Sequence, residues 1–454
     1  MKQPWGREGP AATALQADGI RIQRNPRVAP CAEPYGGARA LILNQAGFVA
    51  AEREISRWPG HAETPLHTLP GLAARLGVAA LHYKDECGRF GLRSFKALGG
   101  AYAVFRILAK AVAARNGGQP VDSRRMIAGA HRDIVQDVTV TCATDGNHGR
   151  SVAWGAQLFG CRCVIYVHEA VSEGRRAAIA QYGAEVIRVP GNYDDSVRHA
   201  ADEARKNGWT VVSDTTYEGY REIPIDVMHG YGVMAREIVR ALADKRAGPS
   251  QARECGPSRG EGAQRQGCAG EPPTHVFVQA GVGALAASVC AVFWLEWGAL
   301  RPKLVIVEPT KADCYFQSGL AGRPVAVRGS LDTVMAGLAC GEVSPLAWEI
   351  VDAGASAYVA VDDRFALEAM RLLASPAPGD PVIVAGETGA AGLAALLAAE
   401  GHAEVRQALD LDARSRVLLI GSEGDTDPEI YRQIVGRAEG GVAAPAAARS
   451  MEVR

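Results

Sequence analysis

An excess of charge of either sign is what this chain most plainly lacks. Its 49 Lys+Arg stand against 50 Asp+Glu in 454 residues, a formal net charge of -1. That balance gives no electrostatic reason to expect nucleic acid or an acidic membrane surface as a partner. Metal-ligand spacing is missing too: the 10 cysteines include no Cys-x-x-Cys pair and no Cys/His cluster, so no metal site is expected. Cys161-Arg-Cys163 falls in an apolar run and reads as packing. No apolar stretch reaches the length of a bilayer span, and Met1 to Pro10 is polar, without the hydrophobic segment of a secretory signal. These absences point to the cytoplasm and to reduced thiols. No internal repeat is evident.

What is present is alternation. With 48% hydrophobic and 22% charged residues the composition is that of an ordinary globular protein, and the length allows two domains. From Leu81 onward, short β-branched runs alternate with helical stretches. The runs are Val138–Thr141, Cys163–Val167, Glu185–Val189, Thr210–Val212, His275–Val278, Leu304–Val307, Val382–Val384 and Val417–Ile420. Most are apolar on both faces and bounded by Gly, Pro or Asp, as buried parallel strands are. Helical patterns over Gly146–Phe159, Ser172–Tyr182, Asp194–Lys206 and Gly283–Trp297 lie between them. The pattern predicts an α/β protein with parallel sheets flanked by helices. Residues 1–38 are rich in Pro, Gly, Arg and Ala and are expected to form an irregular extension. Residues 246–273 have almost no large apolar side chain and read as a flexible surface insertion, and 437–454 as a flexible tail.

Chemistry concentrates in a few motifs. In Arg89–Gly100, Lys96 stands between Phe95 and Ala97-Leu98, at the start of an apolar helical run continued by Tyr102, Phe105 and Leu108. Those neighbours predict partial burial, a lowered pKa and a neutral amine able to attack a carbonyl. Thr144-Asp145-Gly146-Asn147-His148-Gly149 follows a strand and opens a helix, which offers free amides to a carboxylate. A plain strand–helix turn with Asp145 or Asn147 as the cap remains open here. Gln279-Ala280-Gly281-Val282-Gly283-Ala284 repeats the strand, glycine turn and helix in a form that suits a phosphate. A nicotinamide-binding Rossmann protein is the rival for that loop. Its Gly-x-Gly-x-x-Gly pattern is incomplete, because Ala286 takes the third position, although Glu308 ends the next strand. Thr333–Leu338 (with Met335) and Gly386-Glu387-Thr388-Gly389-Ala390 look like site loops. Ser422, after the last strand, would present a hydroxyl at the sheet's carboxyl edge.

As a set, Arg89–Gly100, Ala143–Arg150, Asp214–Tyr220, Thr333–Glu342, Gly386–Ala390 and Gly424–Asp427 resemble the fold type II, tryptophan-synthase-β-like pyridoxal-phosphate enzymes. Within them they resemble the diaminopropionate ammonia-lyase family. The match runs from about Asn44 to Gly436. The resemblance implies two open, mostly parallel sheets: a large cofactor-binding domain over 39–98 and 214–436, and a small domain over 99–213. It implies pyridoxal 5'-phosphate held as an aldimine on Lys96 beside Phe95, with Asn147 on the ring oxygen and Gly281, Val282, Gly283 and Ala284 on the phosphate. Ser422 would face the ring nitrogen, and Glu387 would lie near the cofactor. Ala284 departs from a common serine. Thr144, Asp145, Gly146, Asp214 and Met335 would meet the substrate.

Asp145 stands where serine and threonine dehydratases of this fold usually carry a small residue. A substrate with a second ammonium needs a counter-charge, which Asp145 and Asp214 can supply, either also serving as general acid or base. The implied reaction is β-elimination of ammonia from 2,3-diaminopropionate through aminoacrylate to pyruvate, with Lys96 and Asp145 as bases on opposite faces. A serine/threonine dehydratase and a non-catalytic cofactor or amino-acid binding module are the alternatives. A homodimer is implied. Cys314 and Cys340 border the predicted site and are expected as reduced thiols.

Overall fold

The computed structural model describes residues 14–144, 146–251 and 272–436. The calls on 1–13, Asp145, 252–271 and 437–454 lie outside the described residues.

Two sheets carry the fold. The larger has eight strands in the order β1 (Ala14–Ala17), β2 (Ile20–Arg24), β11 (Ala355–Val361), β10 (Lys303–Pro309), β9 (His275–Gln279), β12 (Arg416–Gly421), β4 (Ala80–Asp85) and β3 (Leu66–Thr68). β11, β10, β9, β12 and β4 run parallel, while β2 on β11, β1 on β2 and β3 on β4 are antiparallel edge pairings. The smaller sheet is parallel throughout, in the order β7 (Glu185–Val189), β6 (Arg162–His168), β5 (Thr139–Ala143) and β8 (Thr210–Val211). The central strand β9 is buried at all five positions, because helices cover both of its faces. Helix Ala284–Trp297 follows it and is apolar nearly all round, the pattern of a helix enclosed by others.

Three expectations about secondary structure fail. Residues 14–24 are not irregular: they form a hairpin that extends the large sheet, β2 burying Ile20 and Ile22 against β11. Val382–Val384 is not a strand. β12 already has β9 and β4 on its two sides, so this run finds no open edge, and Ile383 N bonds instead to Leu373 O (2.9 Å). The predicted insertion does not begin at 246, because helix Glu222–Gln251 runs through that point.

Contrary to the expectation that no apolar stretch is long enough, helix Lys96–Arg115 has the length and hydropathy of a membrane span; in this fold it is a core helix. It packs between helices Asn147–Phe159 and Glu222–Gln251, and small residues permit the crossings. A Cβ on Gly99 would lie 2.3 Å from the Tyr231 ring, and one on Gly100 would lie 1.9 Å from Ser151 Oγ. The segment leading to Lys96 is anchored by a buried ion cluster. Arg89 pairs with Glu86 (2.8 Å) and Glu237 (2.7 Å), and Lys84 pairs with Glu237 (2.6 Å). Each of these side chains is essentially inaccessible, so each charge stands only because its partner is there.

Candidate active site

The carboxyl ends of both sheets converge on Lys96, as expected of ligand sites in open parallel sheets. Lys96 begins its helix, and the approach to it is held backbone to backbone. Phe95 N donates to Ser422 O (3.0 Å), Gly424 N donates to Arg93 O (3.0 Å), and Ser94 bridges Glu423. Phe90 (φ 48°) and Arg93 (φ 57°) sit in the left-handed region without being glycine. Such strain persists only where surroundings over-determine it, here the Arg89 cluster and the ion pair of Arg93 with Asp425.

Lys96 Nζ pairs with the carboxylate of Asp214, 118 residues away, just beyond β8. Its ammonium also lies over two aromatic faces, Phe95 (5.4 Å) and Tyr231 (5.6 Å). This corrects the expected neutral amine. Burial does oppose the charge, but Asp214 outweighs it, and the Lys96 pKa is raised. Burial likewise opposes ionisation of Asp214, while Lys96 and His148 hold it well below the usual carboxylate range. His148 Nε2 lies 2.8 Å from the carbonyl of Val212 and must donate to it, so the neutral ring keeps its lone pair on Nδ1. That Nδ1 stands 3.9 Å from Asp214 Oδ2 with no hydrogen-bond partner. Burial lowers the His148 pKa against the pull of Asp214. The Tyr231 hydroxyl is buried beside Lys96, and burial raises its pKa against the pull of that ammonium.

A glycine cradle lies at the end of β9. Gly281 (φ 55°) and Gly283 (φ 102°) turn the chain into helix Ala284–Trp297, and Gly283 N closes the turn onto Ala280 O (2.9 Å). A Cβ on Gly283 would lie 1.7 Å from the Tyr315 hydroxyl, so only glycine fits. Tyr315 Oη (3.2 Å) and Ser344 N (2.9 Å) both donate to Val282 O and anchor the loop from behind. Cys314 and Cys340 flank it, and neither is in a disulfide. Glu308 does not face a ribose-like site: its two oxygens accept from Tyr315 N and Phe316 N (both 2.9 Å), capping the next helix.

At the end of β12, Ser422 Oγ accepts from Gln279 Nε2 (2.6 Å), leaving its own proton free to donate elsewhere. Asn147 Nδ2 donates to Glu423, whose other oxygen accepts from Thr388 N (3.2 Å). Glu387 is buried beside them, and burial together with the Glu423 charge pushes its carboxyl up to about 7.

Two predicted substrate residues take other positions. Met335 is fully buried in the apolar cluster with Tyr83, Phe277 and Leu338. Thr144 turns its hydroxyl back to accept from Gly146 N (3.0 Å) and Gly149 N (3.1 Å), capping the Asn147 helix. Sequence reasoning missed three residues that the fold brings in. His148 stands inside the Thr144–Gly149 motif, and Glu423 falls between Ser422 and the Gly424–Asp427 motif. Tyr231 lies mid-helix, where no local signal marks it.

The arrangement fits pyridoxal phosphate on features of the chain itself. Lys96 is an amine in a cleft, the Gly281–Ala284 turn is a cradle that a Cβ would fill, and Asn147 and Ser422 are donors between them. Comparison with known proteins agrees. A model of the family described as "Pyridoxal-phosphate dependent enzyme" matches residues 57–423. The chain is 38% identical over 413 residues to "Diaminopropionate ammonia-lyase" of Escherichia coli (strain K12), covering 90% of this chain and 96% of that protein. The crystal structure of that Escherichia coli enzyme in complex with D-serine superposes with a TM-score of 0.78 at 35% identity, covering 94% of this chain and 98% of the other. Its complex with an aminoacrylate-PLP azomethine reaction intermediate gives 0.76 at 35% identity over the same shares.

Proposed function

The chain belongs to the pyridoxal-phosphate-dependent enzymes and, within them, to the diaminopropionate ammonia-lyase family, and from that premise we propose that it removes both amino groups of 2,3-diaminopropionate to give pyruvate and two ammonia. The observation that carries the choice of substrate is Asp214, a buried carboxylate kept charged beside Lys96. Fixed negative charge matches a substrate bearing a second ammonium. A hydroxyl leaving group, as in a serine or threonine dehydratase, has no use for it.

Pyridoxal phosphate supplies an aldehyde that condenses with amines and a ring system that delocalises charge from the substrate's α-carbon. Lys96 Nζ is the amine that would hold it, and the same nitrogen would serve as the base for the substrate's α-proton on one face. Asp145 is the base on the other. Asp214 keeps a proton resident on Nζ between turnovers, and its charge attracts the substrate's β-ammonium. The amides of Gly281, Val282, Gly283 and Ala284 hold the phosphate, supported by the positive end of the helix they open. Ser422, already accepting from Gln279, keeps a hydroxyl proton with which it would donate to the ring nitrogen. Asn147 would donate to the ring oxygen, with Phe95 and Glu387 beside the ring. Thr144 and Gly146 shape the loop that meets the substrate, and Met335 anchors its own loop, Thr333–Leu338, in the large-sheet core. Elimination from the β-carbon leaves an unsaturated amine that water converts to pyruvate and the second ammonia.

The reading also takes the enzyme as a cytoplasmic homodimer, consistent with balanced charge and with the lack of a disulfide among the described residues. Pyruvate release from 2,3-diaminopropionate and from serine, measured side by side, tests the substrate. Faster release from diaminopropionate is expected, and faster release from serine would replace this reading with the dehydratase.

A further inference from the structure

Glu423 follows Ser422 at the end of β12, and its position is built with unusual care. Gly386 and Gly389, the two glycines of Gly386-Glu387-Thr388-Gly389, both make room for it. A Cβ on Gly389 would lie 2.4 Å from Glu423 O, and one on Gly386 would lie 2.4 Å from Gly424 O and 3.1 Å from Glu423 Cγ. Gly386 N donates to Glu423 O (3.0 Å), and Ser94 bridges Glu423 two residues before Lys96. The carboxylate then spans the cleft. One oxygen is taken by Thr388 N (3.2 Å) on the large-sheet side, the other by Asn147 Nδ2 on the helix that follows β5 of the small sheet. Both oxygens therefore act as acceptors, and the side chain is nearly inaccessible.

An amide nitrogen has two hydrogens and an amide oxygen has none. A carboxylate facing Asn147 accepts only, so it selects the orientation in which the NH2 group points toward it and away from the alternative flip. We propose that Glu423 is a positioning residue for Asn147, fixing which end of that amide is turned into the cleft and so presenting the second N–H to the cofactor's ring oxygen. The inference rests on the proposed role of Asn147 in holding pyridoxal phosphate. It gives a purpose to a buried acid that need not touch the cofactor.

Glu423→Gln separates positioning from plain packing. The glutamine offers one oxygen to two donors, so keeping Thr388 means turning an NH2 toward Asn147, which then flips. Apoprotein of the wild type, Glu423→Gln, Asn147→Ala and the double variant is titrated with pyridoxal phosphate, recording affinity and the absorption band of the bound cofactor. Each single change is expected to weaken binding about tenfold, the scale of one charge-assisted hydrogen bond, and to shift the band in the same direction. The double variant should bind no more weakly than Asn147→Ala alone, because Glu423 acts through Asn147. Losses that multiply would overturn the inference, as would an unchanged band in Glu423→Gln accompanied only by a lower denaturation midpoint, the mark of a structural role. If Glu423→Gln does not fold, Glu423→Asp, which keeps the charge but shortens its reach, enters the same cycle with the same two outcomes. A wild type that takes up no pyridoxal phosphate defeats the parent reading and this inference together, whereas uptake with multiplying losses defeats the inference alone.

Discussion

At the scale of single residues the account turns on how Lys96 is charged. Its apolar neighbours made burial legible in the sequence, but the sign of the pKa shift was not, because that depends on a partner 118 positions away that only folding brings near. Without Asp214, burial alone would act on the amine, and burial favours the neutral form. Asp214→Asn is therefore expected to speed the reaction of apoprotein Lys96 with pyridoxal phosphate near neutral pH, by about tenfold for each unit its pKa falls. The same change should slow turnover of diaminopropionate. Stopped-flow loading followed by a pyruvate assay reads both, and slower loading in the variant would contradict the charge assignment. Asn147, Ser422 and the glycine cradle were legible for the opposite reason: their chemistry comes from local turns that a short motif encodes. Tyr231 was not, since an aromatic in the middle of a helix looks like core wherever it points.

Among elements, the alternation of buried β-branched runs and helices located most of the parallel strands, because strands buried on both faces leave an apolar signature. Edge strands leave a weaker one. β1 and β2 read Ala-Leu-Gln-Ala and Ile-Arg-Ile-Gln-Arg, half polar, and the pairing of β2 with β11 joins residues as distant as Ile20 and Val361. β11 itself, Ala-Ser-Ala-Tyr-Val-Ala-Val, is diluted by alanine. Val382–Val384 shows the converse error, since composition favours a strand but no edge is open to it. Helix crossings around Lys96 yield a graded prediction. A methyl on Gly230 would meet the backbone oxygen of Leu98 at 2.3 Å, one on Gly99 would meet the Tyr231 side chain at 2.3 Å, and one on Gly88 meets nothing within 4 Å. Side chains yield more readily than backbone, so Gly99→Ala should cost about 1–3 kcal/mol and Gly230→Ala more, with Gly88→Ala near neutral. Denaturant midpoints order the three, and a Gly99→Ala loss exceeding that of Gly230→Ala would contradict the packing described.

Across the whole molecule, buried titratable groups set opposing slopes of stability against pH. His229 and His275 are buried, and burial holds both at about 4 instead of 6.5. The unfolded chain protonates them first as pH falls, so stability drops between about 6.5 and 4, by up to about 3 kcal/mol for each. Glu387 works the other way: the unfolded chain gives up its proton near 4.5 and the fold retains it to about 7. Stability attributable to Glu387 is therefore lost as pH rises across that window, again by about 3 kcal/mol. In the cofactor-free protein, Glu387→Gln removes the opposing slope and should steepen the gain in stability as pH rises from about 4.5 to 7, as denaturation midpoints across pH would record. An unchanged profile would show that Glu387 ionises normally in the fold. All of this surrounds one amine at the meeting of two sheets. The most direct measurement is borohydride reduction of the protein loaded with pyridoxal phosphate, followed by peptide mapping. The pyridoxyl group should be found on Lys96; its absence, or its presence on another lysine while Lys96 stays free, would contradict the account.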